Sequence, residues 1–260
     1  MNALPYHMTD LIGKGTHGRV YRGYHLTSQQ KVAIKITPKT VASKKELEMI
    51  QRIQTCRHVV KYIEHFELEH EYALVMEEVV GIDGSYMKDM SMHGIYMTEK
   101  EIQCIARQLC ETISDCHDRT ILYGDMKHHN YIYTPPNKVT VIDFGCTRRD
   151  VHFKIPLGTP FYFSPQKFQN AYGLKSDVWS VGILLYELVC GHHPFVHQCK
   201  TKDMLYQQIL STHLTFHHPQ WDMTSLLMQD LLQRMMEKDE DARISARDVL
   251  LHPWWDLQFT

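Results

Sequence analysis

Alternating hydrophobic and polar positions in the first third of the chain predict β-strands. Short apolar runs occupy residues 31–36, 59–66 and 72–76. Strand-like sequence also flanks the glycines of residues 13–18. The apolar residues of 45–53 recur instead at helical spacing. The pattern therefore predicts a small β-rich unit that contains one helix.

Helical spacing dominates the rest of the chain. Residues 99–119 carry an apolar stripe, whereas residues 177–188 are apolar on nearly all sides and are expected to form a buried axis. We expect Ser176 or Asp177 to cap that second helix. Further helices are predicted at about 202–211, 224–236 and 245–251. The second unit is therefore larger and mainly helical.

The segment between the two units loses its periodicity. Residues 77–84 contain Gly81 and Gly84, which interrupt both strand and helix patterns. We interpret about 78–84 as a hinge that joins a small lobe, about 1–77, to a large lobe, about 85–260. The whole chain, 1–260, is then one two-lobed domain.

Composition and charge exclude several classes of function. The 28 basic and 30 acidic residues nearly balance, and no run of five Lys or Arg occurs, so we expect no nucleic-acid or membrane partner. The apolar stretch 178–190 is too short to span a bilayer, and the first ten residues do not resemble a signal peptide. Seven scattered cysteines favour a reducing compartment. We expect a monomeric cytoplasmic protein, with the nucleus as the alternative.

Histidine is frequent in this chain, which raises the question of a metal site. The eighteen histidines include three adjacent pairs. Neighbouring side chains point apart in a helix or a strand, and neither His-Glu-x-x-His nor Cys-x-x-Cys is present. A zinc site is therefore not expected.

The densest group of polar residues lies at 123–130 and is followed by Asp143-Phe144-Gly145. It contains Asp125, Lys127 and Asn130, and strand-like runs separate it from Asp143. A loop, strand, turn and strand in this order would aim a general base and a metal-binding carboxylate into one cleft. Taken alone, the pattern is equally typical of a polar hairpin with incidental charges.

Three glycines and one inward-facing lysine indicate phosphate binding. Gly13, Gly15 and Gly18 let backbone amides approach a phosphate closely, although this spacing alone is a weak signal. Lys35 lies on a predicted buried strand, 17 positions after Gly18. Glu46 falls on the apolar face of the predicted helix, where an acid is unusual unless it is paired. We therefore expect Glu46 to pair with Lys35.

Together these pieces resemble a eukaryotic-type protein kinase over essentially all 260 residues. The matching motifs are Gly13-x-Gly15-x-x-Gly18-x-Val20, Val32-Ala33-Ile34-Lys35, Asp125-x-Lys127-x-x-Asn130, Asp143-Phe144-Gly145, Gly158-Thr159-x-x-Tyr162 and Asp177-x-Trp179-Ser180-x-Gly182. The resemblance implies an α+β fold, in which a small antiparallel β-sheet lobe with one helix sits on a larger, mainly helical lobe.

The resemblance also implies protein substrates, the cofactors ATP and Mg²⁺, and a role for each matching residue. Asp125 would accept the proton of the substrate hydroxyl, and Lys127 would neutralise the migrating phosphoryl group. Asn130 and Asp143 would hold Mg²⁺. The implied ATP-binding residues are Ile12, Gly13, Lys14, Gly15, Thr16, His17, Gly18, Arg19, Val20, Ala33, Lys35, Glu46, Glu77 and Val79, the last two through their backbones.

Lys127 and Thr159 are similar to those of serine/threonine kinases. The run 186–195 and the terminal His252-Pro253-Trp254 are similar to the calcium/calmodulin-dependent group. A pseudokinase that acts as a scaffold is the alternative, but such proteins typically lose residues equivalent to Lys35, Asp125 or Asp143. The sequence therefore predicts an active serine/threonine kinase.

Several positions depart from the family pattern or bear on specificity. Tyr123 replaces the usual histidine and is expected to pack against Phe144. Gly124 replaces an arginine that grips an activation-loop phosphate, and Thr147 is the only hydroxyl-bearing residue between Asp143 and Thr159. We therefore expect activity without activation-loop phosphorylation.

Three further expectations concern side chains outside the main motifs. Gln166 replaces a glutamate that would pair with a buried arginine, here Arg243, whose charge Asp239, Glu240 or Asp241 would then balance. Cys146 is expected to be a packed thiol. Asp83 and Glu187 are candidates for reading basic residues near the phosphoacceptor.

Overall fold

The computed structural model describes residues 4–15, 18–149, 156–196 and 198–259. The first part of the chain forms a five-stranded antiparallel sheet in the order β1-β2-β3-β5-β4. Its strands are β1 (Tyr6–Gly15), β2 (Gly18–His25), β3 (Lys31–Pro38), β4 (Tyr62–Glu67) and β5 (Glu71–Glu77). The strands predicted at 31–36 and 72–76 are confirmed, and the strand predicted from residue 59 begins at Tyr62.

The sheet carries one helix, α1 (Val41–Arg52), which begins four residues before the predicted start. Thr40 defines the helix start, because its side chain accepts a hydrogen bond from the Ser43 amide and Ser43 Oγ accepts one from the Thr40 amide. The helix buries Glu46, Met49 and Ile50. Glu46 therefore lies on the inner face of α1, as predicted.

The second part of the chain is mainly helical. Its helices are α2 (Gly84–Met92), α3 (Glu99–His117), α4 (Pro165–Phe168), α5 (Lys175–Cys190), α6 (Lys202–Ser211), α7 (Leu226–Met235) and α8 (Ala246–Val249). A small sheet, β6 (Ile82–Asp83), β7 (Tyr131–Thr134) and β8 (Lys138–Val141), lies beside the cleft that separates the two parts. The predicted α+β fold with a β-sheet lobe and a helical lobe is confirmed.

The prediction that Ser176 or Asp177 caps the buried helix is wrong. Helix α5 begins at Lys175, so its N-cap position is Leu174. Ser176 Oγ instead donates a hydrogen bond to the Gly173 carbonyl at 2.7 Å. The Asp177 carboxylate accepts hydrogen bonds from the amides of Tyr123 and Gly124. Both side chains are therefore used by neighbouring segments rather than by the end of the helix.

Helix α2 was not predicted from the sequence. Asp83 begins it by accepting a hydrogen bond from the Ser85 amide at 2.7 Å. Ser91 Oγ donates to the Leu188 carbonyl at 2.8 Å and so fixes α2 against α5. The helix starts with a glycine and mixes methionine with polar residues, which conceals its helical period. The predicted hinge at 78–84 thus ends in a short strand and the start of this helix.

The predicted contact between Gln166 and Arg243 is confirmed: an Arg243 guanidinium nitrogen donates to Gln166 Oε1 at 2.8 Å. Arg243 is 1% exposed, lies over the Trp179 ring and donates to the Glu237 and Lys175 carbonyls. Burial lowers the pKa of Arg243 to about 10, and the carboxylates of Glu240, Glu237 and Asp239 oppose this shift. The sequence suggested Asp239, Glu240 or Asp241 as compensating acids. Asp239 and Glu240 have this effect on Arg243, Asp241 does not, and Glu237 was not among the suggested residues.

We predict that Gln166→Glu raises the melting temperature. The new carboxylate would form a charge-assisted bond with Arg243, about twice as strong as the present neutral one. It would lose the bond that Gln166 Nε2 donates to the Lys238 carbonyl. A net gain of about 1 kcal/mol corresponds to roughly 2–4 °C in a thermal denaturation scan at neutral pH.

The pH dependence of the same variant identifies the source of its gain. Arg243 would hold the pKa of the new carboxyl below its unfolded value, so the added stability should be present above that value. The gain should disappear as the pH falls through the folded-state pKa. Gln166→Met, which can form neither bond, serves as the control and should melt lower. An unchanged or lower melting temperature for Gln166→Glu would refute the charge-pairing argument.

Candidate active site

A cleft of about 1900 Å³ opens between the five-stranded sheet and the helical part. Most of the residues predicted to bind ATP or metal line it, together with the two predicted catalytic residues, Asp125 and Lys127. These are Ile12, Gly13, Lys14, Gly15, Gly18, Val20, Ala33, Lys35, Glu77, Val79, Asp125, Lys127, Asn130 and Asp143. Thr16 and His17 lie outside the described residues. The cleft thus brings together the glycine segment and the polar residues of 123–130.

The glycine segment is the turn of the β1–β2 hairpin, with Gly15 paired opposite Gly18. Gly18 has a φ of 130°, and a Cβ there would collide with the Ile36 carbonyl. Val20 faces the cleft, whereas the adjacent Arg19 forms an exposed ion pair with Glu71 at 3.0 Å. Because strand side chains alternate between faces, the Arg19 side chain lies on the face away from Val20, and the part of Arg19 in covering the ATP phosphates stays a prediction.

The predicted pair between Lys35 and Glu46 is confirmed. Lys35 is 6% exposed, and its ammonium forms ion pairs with Glu46 of α1 and with Asp143 Oδ1, the latter at 3.1 Å. Burial alone would lower the pKa of Lys35, but Asp143 and Glu46 outweigh it and the net shift is upward. Glu46 lies behind the lysine and not on the cleft wall. Lys35 therefore remains charged and links β3 to the segment that carries Asp143.

The residues that follow Gly124 converge around one carboxylate. Asp125 Oδ1 accepts a hydrogen bond from the Thr159 amide at 2.7 Å, and Oδ2 forms an ion pair with Lys127 at 2.8 Å. Lys127 also donates to Thr159 Oγ1 at 2.9 Å. Asn130 Nδ2 donates to the Asp125 carbonyl at 2.7 Å. The carboxylate, the ammonium and the amide are thus held in one cluster at the cleft wall.

Tyr123 supports the neighbouring Asp143 segment. Its ring packs edge-on against Phe144 with centroids 5.8 Å apart, and its hydroxyl donates to the Asp143 carbonyl at 2.6 Å. The Asp143 carboxylate accepts a further bond from the Gly145 amide at 3.1 Å. The expected packing of Tyr123 on Phe144 is confirmed.

The donor set on the cleft wall fits Mg²⁺ brought by a nucleotide. Within the described ranges, no three His, Cys, Asp or Glu side chains are placed to hold a metal by themselves. The Asp143 carboxylate and the Asn130 amide line the same cleft. Mg²⁺ typically takes one or two protein oxygens and completes its shell with phosphate and water. These two residues are therefore suited to a shared Mg²⁺–phosphate site rather than to an all-protein cage.

Glu187, a candidate for reading basic residues near the phosphoacceptor, lines the cleft, and that role stays a prediction. It is 3% exposed, and its oxygens face the Tyr162 hydroxyl at 2.9 Å, His128 at 3.2 Å and Lys88 at 3.5 Å. Its partners lower the pKa of Glu187 to about 2, although burial alone would raise it. The carboxylate is thus an ionised group inside the large lobe whose two oxygens already have partners.

Cys146 is buried as predicted. It is 6% exposed, and burial raises the pKa of its thiol to about 12. At neutral pH it is therefore a packed thiol rather than a reactive thiolate.

Two functional contacts were not foreseen from the sequence. Asp177 binds the amides of Tyr123 and Gly124, and the Lys167 ammonium binds the Gly124 carbonyl. The family motif that contains Asp177 indicated that this residue is important. Its partners could not be predicted, because they lie more than 50 positions away in the sequence. Nothing local in the sequence signals that Lys167 is buried.

Comparison with known proteins gives a family-level result. The chain matches the protein kinase domain over residues 6–255. It is 30% identical over 253 residues to calcium/calmodulin-dependent protein kinase type IV of Mus musculus, which covers 94% of this chain and 53% of that protein. It is 29% identical over 267 residues to calcium-dependent protein kinase 31 of Arabidopsis thaliana, covering 96% and 54%.

A third relative is shorter. Calcium/calmodulin-dependent protein kinase type 1 of Macrobrachium nipponense is 30% identical over 261 residues, covering 96% of this chain and 74% of that protein. The chain spans about half the length of the first two relatives.

With this fold, this cleft and a match over nearly its whole length, the chain belongs to the protein kinase family. Within that family it falls among the serine/threonine kinases of the calcium/calmodulin-dependent group, as its sequence motifs indicated. None of the helices in the described ranges is long and apolar enough to cross a membrane.

Proposed function

We propose that this chain is an ATP-dependent serine/threonine protein kinase that transfers the γ-phosphate of ATP to hydroxyl groups of protein substrates. The observation that carries the proposal is the convergence, on one cleft, of Asp125, Lys127, Asn130 and Asp143 with Lys35. Phosphoryl transfer needs mainly positioning and charge stabilisation, which this set of side chains provides. The small lobe at about 1–77, hinge at about 78–84 and large lobe at about 85–260 are part of the same proposal.

The proposed roles follow from where each side chain is held. Asp125, fixed by Thr159 and Lys127, accepts the proton of the substrate hydroxyl. Lys127 offsets negative charge at the migrating phosphoryl group. Asn130 and Asp143 hold Mg²⁺, which when bound neutralises charge on the phosphates.

In this proposal the nucleotide occupies the part of the cleft that the five-stranded sheet lines. Lys35 pairs with the α- and β-phosphates while Glu46 fixes its position. The glycine hairpin with Lys14 covers the phosphates, and the family resemblance assigns Thr16, His17 and Arg19 to the same task. Ile12, Val20 and Ala33, which line the cleft, contact the base. The backbones of Glu77 and Val79 pair with the adenine edge, and Met76 lines the back of its pocket.

The direct test is phosphate transfer from labelled ATP to a generic basic protein substrate. We expect transfer that requires Mg²⁺, stops when EDTA removes the metal, and yields phosphoserine or phosphothreonine on acid hydrolysis. Nucleotide binding without transfer would favour a scaffold. Phosphotyrosine as the main product would contradict the proposed substrate class.

We further propose that activity does not require phosphorylation of the activation segment. Thr147 is 0% exposed, and its hydroxyl donates to the Tyr123 carbonyl at 3.2 Å. Thr159 is bound to Asp125 and Lys127. Residues 150–155 lie outside the described residues and contain no hydroxyl-bearing side chain. No described hydroxyl between Asp143 and Thr159 is therefore accessible to a second kinase.

This proposal predicts that phosphatase treatment leaves kcat unchanged. Thr147→Val, which keeps the shape of the side chain and removes the acceptor hydroxyl, should also retain activity apart from the modest cost of one buried hydrogen bond, about 1 kcal/mol in stability. Mass spectrometry of the treated protein provides the control for phosphate removal. Activity that is lost on dephosphorylation and restored by phosphorylation at Thr147 would contradict it.

The remaining properties are proposed from charge and composition. The near balance of 28 basic and 30 acidic residues supports a protein without nucleic-acid or membrane partners. The seven scattered cysteines support the cytoplasm or the nucleus as its compartment. We propose that it acts on proteins as a monomer. Light scattering measures the oligomeric state, and a dimer at micromolar concentration would contradict the proposal.

A further inference from the structure

Helix α4 contains a buried lysine next to the candidate catalytic segment. Lys167 is 2% exposed, and its ammonium lies inside the large lobe. Lysine is among the residues least often fully buried, because removal of its charge from water is costly. A buried lysine therefore needs a structural or functional reason.

The contacts of the Lys167 ammonium are few and specific. It donates a hydrogen bond to the Gly124 carbonyl at 2.5 Å and lies over the rings of Phe163 and Tyr172, 4.6 and 5.5 Å from their centroids. Among the described residues, the carboxylates that act on it do so through longer-range electrostatics and not through a hydrogen bond. Burial lowers the pKa of Lys167, and Asp177 and Asp125 oppose that shift at longer range. The single backbone carbonyl is thus its main hydrogen-bonding partner.

That carbonyl belongs to the peptide that joins Gly124 to Asp125. On the other side of the same residue, the Gly124 amide donates to Asp177 Oδ1 at 2.8 Å. Gly158 covers the carbonyl, since a Cβ at Gly158 would lie 2.6 Å from the Gly124 oxygen. The backbone immediately before Asp125 is therefore held from two sides, by Asp177 of α5 and Lys167 of α4.

Position 124 itself cannot supply a cation in this backbone. Gly124 has a φ of 89°, and a Cβ there would lie 2.6 Å from the Cys146 carbonyl oxygen. A side chain at this position would be strained as well as crowded. The arginine expected there by resemblance is absent, and a cation from a different element reaches the same peptide.

We infer that Lys167 is a positioning residue for the catalytic segment, whose buried ammonium fixes the Gly124–Asp125 peptide in place of a side chain at position 124. This inference rests on the proposed function, in which Asp125 is the base. A hydrophobic residue of similar volume would avoid the desolvation cost at this site. A positioning role accounts for the buried ammonium, because displacement of a reacting group by about 1 Å can lower a rate about 100-fold.

The test compares Lys167→Met with a matched control, Lys202→Met. Lys202 lies over Phe163, one of the same aromatic rings, at 5.5 Å, but it is exposed and makes no contact with Gly124 among the described residues. We expect Lys167→Met to lower kcat about 10- to 100-fold with KM for Mg-ATP unchanged. Lys202→Met should keep both values.

A second readout does not depend on catalysis. Hydrogen–deuterium exchange of a peptide that covers residues 121–131 should be faster in Lys167→Met than in the wild type, and unchanged in Lys202→Met. Lys167→Arg, which keeps the cation and the donor, should recover most of both properties. If Lys167→Met does not fold, Lys167→Gln replaces it in both measurements.

The two readouts separate failure of this inference from failure of the proposed function. Wild-type kcat and wild-type exchange in the folded Lys167→Met protein, whatever its melting temperature, would overturn the positioning role. A wild-type protein that transfers no phosphate would overturn the proposed function, and the exchange measurement would still decide whether Lys167 fixes the loop.

Discussion

Asp125→Asn is expected to lower kcat for phosphate transfer about 10²- to 10⁴-fold, the usual contribution of a positioned general base. Asparagine can still accept the bond from the Thr159 amide that Asp125 Oδ1 now accepts. It cannot take a proton, and its amide group would replace the oxygen that faces Lys127. The loss should therefore fall on the chemical step rather than on the shape of the loop.

Two further measurements test whether the loss of kcat arises in the chemical step alone. The dissociation constant for Mg-ATP, measured by calorimetry, should be unchanged, because the nucleotide contacts proposed above involve other residues. Asp118→Asn replaces an exposed aspartate in the same lobe and should leave kcat unaltered. Wild-type turnover by Asp125→Asn would exclude Asp125 as the base and would require another proton acceptor in the cleft.

The Lys35–Glu46 pair shows which parts of the site could be predicted from the sequence. A lysine on an apolar strand and a glutamate on the apolar face of a helix are both costly when buried alone. A buried lysine and a buried glutamate, 11 positions apart, can offset each other's cost by forming an ion pair. Local periodicity therefore carried enough information to predict a contact between two elements.

The contacts of Gly124 show why other parts could not be predicted. Its amide is bound by a residue 53 positions away and its carbonyl by one 43 positions away. Lys167 would be read as a surface residue, because a four-residue helix is too short to display a period. Its burial depends on where α4 packs against the 123–130 segment, which is decided by tertiary structure.

The secondary structure likewise divides into elements that the local sequence predicts and elements that depend on contacts with distant residues. Strand alternation and the apolar surface of α5 predicted the main elements, whereas α2 and the start of α5 depended on non-local partners. The carboxylate of Asp177 turns towards Tyr123 and Gly124 instead of capping its own helix. An aspartate near a helix start normally caps that helix, but Asp177 instead binds the segment that contains Tyr123 and Gly124.

Lys35→Met is expected both to abolish phosphate transfer and to lower the free energy of unfolding by about 3–5 kcal/mol. The lysine is 6% exposed, and its ammonium offsets the desolvation of Glu46 and pairs with Asp143. Methionine fills a similar volume and supplies no charge, so a buried carboxylate would lose its cation. Chemical denaturation measures the stability, and the phosphate-transfer assay measures the activity.

A double variant separates these two effects. Lys35→Met combined with Glu46→Leu replaces the buried pair with apolar side chains, which is often neutral or stabilising. We expect it to recover most of the lost stability and none of the phosphate transfer, because the cation that pairs with the nucleotide phosphates is still missing. If transfer returned together with stability, the lysine would be a structural partner of Glu46 alone, and the phosphates would have to be bound by another cation on the cleft wall.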